Sequence, residues 1–243
     1  MQSQLCLLWQ NCQTRQWYHV GTLFQQTSGS YIFRYETSKK HRGLNEALQN
    51  GYKVHPSFPD IDKVYTSENL FSAFSRRIPD RRRPDYQLLF KNLGITEKSS
   101  TYEVLKVTGG SLNSDAYEFV QPIKMEGQHF ELAFYLRGWR HYNDQNEKIL
   151  QTDCLTFQRD TANKHDMYAV QVYKNKEKII GYVPAFYSQF MSKVLEENGT
   201  YKMTDIKFDS KAFSHYKLKI SLEGELGQKE WLQNKDDLLV MQV

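Results

Sequence analysis

The sequence contains few cysteines, glycines and prolines for its length, and it has no long hydrophobic run. Its 243 residues include 3 Cys, 13 Gly and 6 Pro. Three cysteines without a CxxC pair predict neither a disulfide framework nor a zinc site. The low Gly and Pro content excludes collagen-like chains and Pro/Gly-rich disorder. No stretch reaches the roughly 18 apolar residues that a transmembrane helix needs. We therefore expect a cytoplasmic protein that does not bind a membrane.

Aromatic residues are abundant, at 14% of the chain, with 16 Tyr and 14 Phe. That ring area can build one or two cores without a metal or disulfide bonds. The net charge of +4 is unevenly distributed. Residues 1–125 carry 16 Lys and Arg against 11 Asp and Glu, whereas residues 126–243 carry 16 against 17. The basic excess of the first half favours binding to phosphates or to an acidic protein surface.

The densest basic cluster lies in the segment SRRIPDRRRPD. Its arginines are Arg76, Arg77, Arg81, Arg82 and Arg83. Such a cluster is typical of a surface that contacts phosphates. The alternative is a solvated loop after a helix, in which Asp80 and Asp85 partly neutralise the arginines.

The pattern of apolar residues divides the chain into two domains, residues 1–125 and 126–243. The first domain begins with the strands QLCLLW, QWYHVGTL and SYIFRY, and a polar loop follows over residues 36–66. Helices are predicted from Ser67, around residues 86–93 and after the cap Ser100, before the strand AYEFVQPI. The second domain contains many short strands, ending with YKLKISLEG and DLLVMQV, and a helix from Pro184 to Leu195. We predict an α+β, mostly β fold: a small mixed α/β subdomain followed by a small barrel-like sheet with one or two helices.

Sequence motifs of the common enzyme classes are absent. There is no GK[ST] P-loop, no GxSxG elbow, no HExxH and no HRD or DFG element. The Gly-containing segment TGGSLNS follows a predicted helix and not a strand, so it lacks the context of a dinucleotide site. We therefore predict no catalysis and no cofactor or metal, with an unrecognised hydrolase as the open alternative.

The most informative stretch is residues 134–197. Its pieces are FYLRGWRHY, LTFQRDTANKHDMYAVQVY and KIIGYVPAFYSQFMSKVLEEN. In the middle piece, Asn163, His165 and Asp166 share a short loop between two predicted strands. A loop at the rim of a sheet often carries a ligand site. The alternative is an Asx-type turn, in which Asn163 and Asp166 bind their own backbone.

These pieces, in this order and at this spacing, resemble the HIRAN domain. The matching segments are Leu136-Arg137-Gly138-Trp139, Leu155 to Val172 and Gly181-Tyr182-Val183-Pro184. HIRAN domains occur alone in bacteria and at the front of some eukaryotic DNA-repair helicases, so the resemblance suits a bacterial protein. It implies an OB-related β-barrel with a pocket for single-stranded DNA. In the best-understood members, that pocket recognises a free 3′-hydroxyl end.

The resemblance also implies roles by position. Arg137 would contact a backbone phosphate, and His165 would offer a ring face to a base. Asp166 would accept a hydrogen bond from the sugar hydroxyl, and Tyr182 would line the pocket. The full implied binding surface is Arg137, Trp139, Arg140, Tyr142, Arg159, Asn163, Lys164, His165, Asp166 and Tyr182.

Three positions depart from the family pattern. Gly138 stands where end-binding relatives carry an aromatic residue, so a stacking face is lost unless Trp139 or Tyr142 replaces it. Lys164 replaces a usual proline, and Ala185 lies near a position that is lysine in end-binding relatives. These departures count against the recognition of a 3′ end more than against the HIRAN fold.

The first half resembles the N-terminal subdomain of HipA-type serine/threonine kinases. The matching segments are Gly21-Thr22-Leu23, Phe33-Arg34-Tyr35, Phe71 to Asp80 and Gly109 to Val120. No kinase signature follows them here. This resemblance implies, as an alternative function, a protein-interaction module that regulates a HipA-like kinase in a toxin–antitoxin system. The sequence does not indicate an oligomeric state.

Overall fold

The structure is a computed structural model that describes residues 3–82, 86, 90, 93–112, 114–144, 146–150, 152–227 and 238. It divides into two compact units, Met1–Pro122 and Ile123–Val243. The predicted α+β, mostly β fold is confirmed. Arg83, most of the helix predicted around residues 86–93 and the predicted strand DLLVMQV apart from Leu238 lie outside the described residues.

The N-terminal unit is built on a five-stranded antiparallel sheet in the order β4-β3-β2-β1-β5. Its strands are β1 Ser3–Gln10, β2 Trp17–Gln25, β3 Tyr31–Tyr35, β4 Tyr65–Ser67 and β5 Tyr117–Val120. Four of the five were predicted from apolar alternation. The short β4 was not, because only three of its residues pair with β3 and its sequence is polar.

Three helices are present among the described residues of this unit: α1 Leu44–Gln49, α2 Ser72–Ser75 and α3 Thr101–Thr108. The predicted start of α2 at Ser67 is wrong, since Ser67 pairs with Tyr31 in the sheet. The start of α3 is as predicted. The hydroxyl of Ser100 accepts the N–H of Glu103 at 3.1 Å, and the Glu103 carboxylate accepts the N–H of Ser100 at 2.6 Å. This reciprocal capping box satisfies two N–H groups that the helix leaves unpaired.

One face of the sheet buries an aromatic core. The ring of Phe33 on β3 lies 4.5 Å from that of Phe58 and 5.2 Å from that of Phe74 on α2. Leu44 on α1 and Leu105 on α3 join the same cluster. The helices therefore pack on this face, and their apolar residues stabilise the unit through burial.

The C-terminal unit contains two antiparallel sheets, β10-β9-β8 and β11-β12-β7-β6. Its strands are β6 Lys124–Glu126, β7 His129–Tyr135, β8 Leu155–Arg159, β9 Val170–Lys174, β10 Lys178–Tyr182, β11 Thr200–Phe208 and β12 Leu218–Glu225, and its helices within the described residues are α4 Trp139–Tyr142 and α5 Ala185–Glu196. The helix predicted from Pro184 to Leu195 corresponds to α5. Strand β11 was not predicted, because its charged residues obscure the alternation.

The two sheets meet at a backbone bridge between Arg137 and Tyr182. Each residue donates its N–H to the carbonyl oxygen of the other, both at 2.9 Å. Gly181 permits this approach, since a Cβ at that position would lie 2.4 Å from the carbonyl oxygen of Arg137. The bridge brings the ends of β7 and β10 together, and these ends carry several of the predicted binding residues.

The cap of α3 gives a stability prediction. Replacing Ser100 with alanine removes the acceptor of the Glu103 N–H, and losses of this kind cost about 1 kcal/mol. We expect urea denaturation of the full chain, followed by circular dichroism, to show a decrease of about that size in the free energy of unfolding. Ser100→Asp retains an acceptor and should behave like the wild type. An equal loss in both variants would contradict this account.

Candidate nucleic-acid interface

The segment after the bridge turns sharply into α4. Gly138, at the start of the helix, has a φ of 79°, a left-handed conformation that glycine adopts without strain. The turn directs Trp139 into the interior, where it is 3% exposed and its ring lies 5.2 Å from that of Phe208. The prediction that Trp139 contacts nucleic acid is therefore wrong: it anchors α4 in the core.

The other end of α4 is tied to the sheet. The side-chain amide of Asn143 donates to the carbonyl oxygens of Trp139, at 3.0 Å, and of Ile180 on β10, at 2.8 Å. With both ends held, the four-residue helix presents Arg140 and Tyr142 to solvent. Two of the predicted binding residues thus lie on a rigid support.

Tyr142 lies over Gly138 and beside Tyr182. A Cβ at position 138 would be 3.5 Å from the nearest ring carbon of Tyr142. The ring centroids of Tyr142 and Tyr182 are 5.7 Å apart, and Tyr142 is 38% exposed. The ring of Tyr142, four residues further along the chain, therefore covers Gly138.

The phenol of Tyr182 is held by hydrogen bonds on two sides. It donates to Asp160 Oδ2 at 2.8 Å and accepts from the amide of Gln171 at 3.1 Å. Burial, together with hydrogen bonds to Tyr142 and Asp160, raises the pKa of Tyr182 above its ordinary value. The phenol is thus neutral at physiological pH. Sequence analysis missed Asp160, although its position directly after β8 was a usable signal.

The loop after Asp160 is organised by Asn163. Its side-chain oxygen accepts the N–H of His165 at 2.9 Å and of Asp166 at 3.0 Å, and its amide donates to Asp160 Oδ2 at 3.1 Å. This is the Asx-type turn that the sequence left open. Asn163 therefore shapes the loop, and its predicted role as a contact residue is corrected. The side chains of Lys164 and His165 are exposed.

Asp166 connects the loop to α5. One carboxylate oxygen accepts the N–H of Tyr168 at 2.9 Å, and the other accepts the hydroxyl of Ser188 at 2.6 Å. The residue is half-buried. Since a carboxylate has about four lone-pair sites, two of them are left for a further donor.

The two predicted arginines at this end of the unit differ in their surroundings. The guanidinium of Arg137 lies 5.8 Å from the ring centroid of Phe186, in the first turn of α5. Arg159 instead forms an ion pair with Glu196, in the last turn of α5. Its charge is compensated within the unit by Glu196, and its place in the binding surface stays a prediction.

The connection between β11 and β12, residues 209–217, adds an aromatic surface that the sequence analysis missed. Phe213 is 58% exposed, and its ring is nearly parallel to that of His215, at an interplanar angle of 9°. Burial and the positive charge of Arg137 lower the pKa of His215, which places this connection beside Arg137. The segment SKAFSHYK has no periodicity that would have identified it.

The basic cluster of the N-terminal unit is not a continuous surface. Arg77 is 8% exposed and forms two hydrogen bonds of 2.7 Å to the carboxylate of Asp115, so its place in an exposed patch is corrected. Arg82 pairs with Asp80 at 3.0 Å, and Arg81 donates to backbone carbonyl oxygens. Arg76 is exposed.

The described residues were also compared with the requirements of a metal site and of a membrane-spanning helix. They contain no group of three or more His, Cys, Asp or Glu side chains arranged to hold a metal ion. They also contain no helix with the length and apolar character to cross a membrane.

Residues 129–227 match the family model of the HIRAN domain, which confirms the predicted domain over that range. The range begins with β7 and ends just after β12. Among solved structures, the crystal structure of the HIRAN domain of human HLTF is similar, with 14% identity and a TM-score of 0.36, and the match covers 47% of this chain and 93% of that chain. No curated protein matches the sequence. The HipA-like character of the first half stays a prediction, because the family match does not include it.

The ion pair of Arg77 gives a second stability prediction. Arg77→Leu leaves Asp115 without its partner. Breaking a buried pair costs roughly 3–5 kcal/mol, and because Asp115 is partly exposed we expect a loss of about 2 kcal/mol in urea denaturation. Arg82→Leu removes a 91% exposed side chain and serves as the control, with an effect within about 0.5 kcal/mol. Equal effects of the two substitutions would contradict a structural role for Arg77.

The same pair predicts a pH dependence. Burial alone would raise the pKa of Asp115, but the hydrogen bonds and charge of Arg77 outweigh it and hold this pKa below its ordinary value. The pair therefore stabilises the fold fully above the ordinary carboxyl pKa of about 4. This contribution is lost as the pH falls through the lowered pKa. The stability difference between wild type and Arg77→Leu should shrink in that range.

Proposed function

We propose that the HIRAN domain at residues 129–227 binds single-stranded DNA and holds the strand at its free 3′ end. A HIRAN domain implies nucleic-acid binding, typically of single-stranded DNA. The observation that carries the proposal is the aromatic pair of Tyr142 and Tyr182, which lies at the backbone bridge between Tyr182 and Arg137. Unpaired bases stack on aromatic rings, and arginine neutralises the phosphates between them.

The stacking surface is supported by geometry. Tyr142 is exposed on a helix whose two ends are fixed by Trp139 and Asn143. Its ring therefore loses little freedom when a base stacks on it, which favours binding. Phe213 offers a second exposed ring, in the connection whose His215 is influenced by the charge of Arg137.

Positive charge is local to the site. The second half of the sequence has slightly more Asp and Glu than Lys and Arg, so its overall field does not attract DNA. Arg137, Arg140 and Lys164 supply the charge where the strand would lie. Binding should therefore depend on a few phosphate contacts and respond to salt accordingly.

The 3′ end would be read by Asp166. Its half-buried carboxylate has lone pairs available beyond those used by Tyr168 and Ser188. A 3′-hydroxyl can donate to it, whereas a 3′-phosphate would place negative charge against negative charge. The neighbouring His165, exposed in the same loop, would offer its ring to the terminal base. In this proposal the domain binds its ligand and catalyses no reaction.

The test is a fluorescence anisotropy titration of the full chain with single-stranded oligonucleotides. We expect a 3′-hydroxyl oligonucleotide to bind about tenfold more tightly than the same strand with a 3′-phosphate. That factor corresponds to about 1.4 kcal/mol, close to the lower end of what a hydrogen bond to a charged group contributes. With two or three phosphate contacts, the slope of log K against log salt should be about −1.4 to −2. Equal affinity for both ends would remove the end-recognition part, and no binding at low salt would contradict the whole proposal.

A substitution at Tyr142 tests the stacking surface. Tyr142→Ala should weaken binding of the oligonucleotide by about tenfold, because stacking contributes about 1–3 kcal/mol per base. Tyr142→Phe keeps the ring and should retain most of the affinity. Leu150→Ala removes another exposed apolar side chain, outside the proposed site, and should have no effect. If Tyr142→Ala binds like the wild type, Tyr142 is not a stacking residue.

A further inference from the structure

Asp160 lies where β8 ends and the loop of Asn163 and Asp166 begins. Its N–H donates to the carbonyl oxygen of Ala169 at 2.8 Å, so the backbone closes the loop at its base. Its side chain is half-buried and reaches Tyr182 at the end of β10, the strand that lies beyond β9 in the same sheet. The residue was not among the sequence-derived candidates.

One oxygen of this carboxylate receives two hydrogen bonds from different elements. Asp160 Oδ2 accepts the phenol of Tyr182, at 2.8 Å, and the side-chain amide of Asn163, at 3.1 Å. Tyr182 belongs to β10, and Asn163 belongs to the loop between β8 and β9. This one oxygen atom therefore connects the ring of Tyr182 to the loop of Asn163 and orients both of them.

Each of these two partners positions further groups. On one side, Tyr182 packs against Tyr142, and its hydroxyl also accepts from Gln171, which in turn accepts from the hydroxyl of Tyr173 at 3.1 Å. On the other side, Asn163 accepts the N–H groups that orient the loop. Hydrogen bonds that are linked in a partly buried network of this kind strengthen one another.

We propose that Asp160 is a positioning residue of the binding site, which holds the Tyr142–Tyr182 stacking surface and the loop of His165 and Asp166 in one arrangement. The inference rests on the proposed function, because the groups it positions are those assigned to bind DNA. Asp160 acts through Tyr182 and Asn163 and need not touch the ligand. Its removal leaves every proposed contact residue in place but frees the ring of Tyr182 and the loop shaped by Asn163 to reorient.

The experiment compares three variants of the full chain in the same oligonucleotide titration. Asp160→Ala should weaken binding by about tenfold, since both the stacking surface and the loop lose their order. Asp160→Asn keeps an oxygen that accepts both hydrogen bonds, so it should recover most of the affinity. The matched control is Asp153→Ala. Asp153 accepts the N–H of Leu150 at 2.8 Å and the amide of Asn175 at 3.0 Å, a similar brace at the opposite end of β8 and β9.

A spectroscopic measurement separates positioning from a general loss of stability. Removal of the Asp160 carboxylate takes away one hydrogen bond that favours the protonated phenol of Tyr182. NMR spectra at neutral pH should therefore show changed ring resonances of Tyr182 and Tyr142 in Asp160→Ala and unchanged ones in Asp153→Ala. Urea denaturation of both variants should show comparable losses of stability.

The outcomes distinguish this inference from the proposed function. If the wild type binds no single-stranded DNA, both are overturned. If the wild type binds and Asp160→Ala binds equally well, the positioning role alone is overturned. The same conclusion follows if Asp153→Ala loses as much affinity as Asp160→Ala, because the effect then reflects stability and not position.

Discussion

The two-way backbone bridge between Arg137 and Tyr182 is the contact on which the candidate site depends. It joins the ends of two sheets, and it exists only because Gly181 leaves room for the carbonyl oxygen of Arg137. From this point the chain can turn through Gly138 into α4. The two tyrosine rings and the loop after β8 thereby meet at the end of β10, so the main-chain geometry positions the side chains of the site.

Burial and pairing decide which of the basic and aromatic residues are available to a ligand. Arg77 and Arg159 carry the same charge as Arg140, yet each faces a carboxylate of its own unit. Trp139 and Tyr142 lie three residues apart on one short helix, and only the second is exposed. Composition and local charge density alone therefore overstate the binding surface.

The sequence predicted the regular parts of this protein well. Strands with apolar alternation, the α3 cap at Ser100 and the HIRAN segments could be read directly because their signals are local. The sequence could not predict which side of α4 faces the core, or that Tyr182 would bind Asp160, because both depend on contacts between residues distant along the chain. Strand β11 was missed for a related reason: it is mostly exposed, so burial does not impose an apolar alternation on its sequence.

The position of Tyr142 over Gly138 has a consequence for substitutions. A large side chain at residue 138 would be strained at its positive φ and would compete with the Tyr142 ring for the same space. An aromatic side chain at residue 138 would therefore require the Tyr142 ring to move, so the effects of substitutions at these two positions should be coupled.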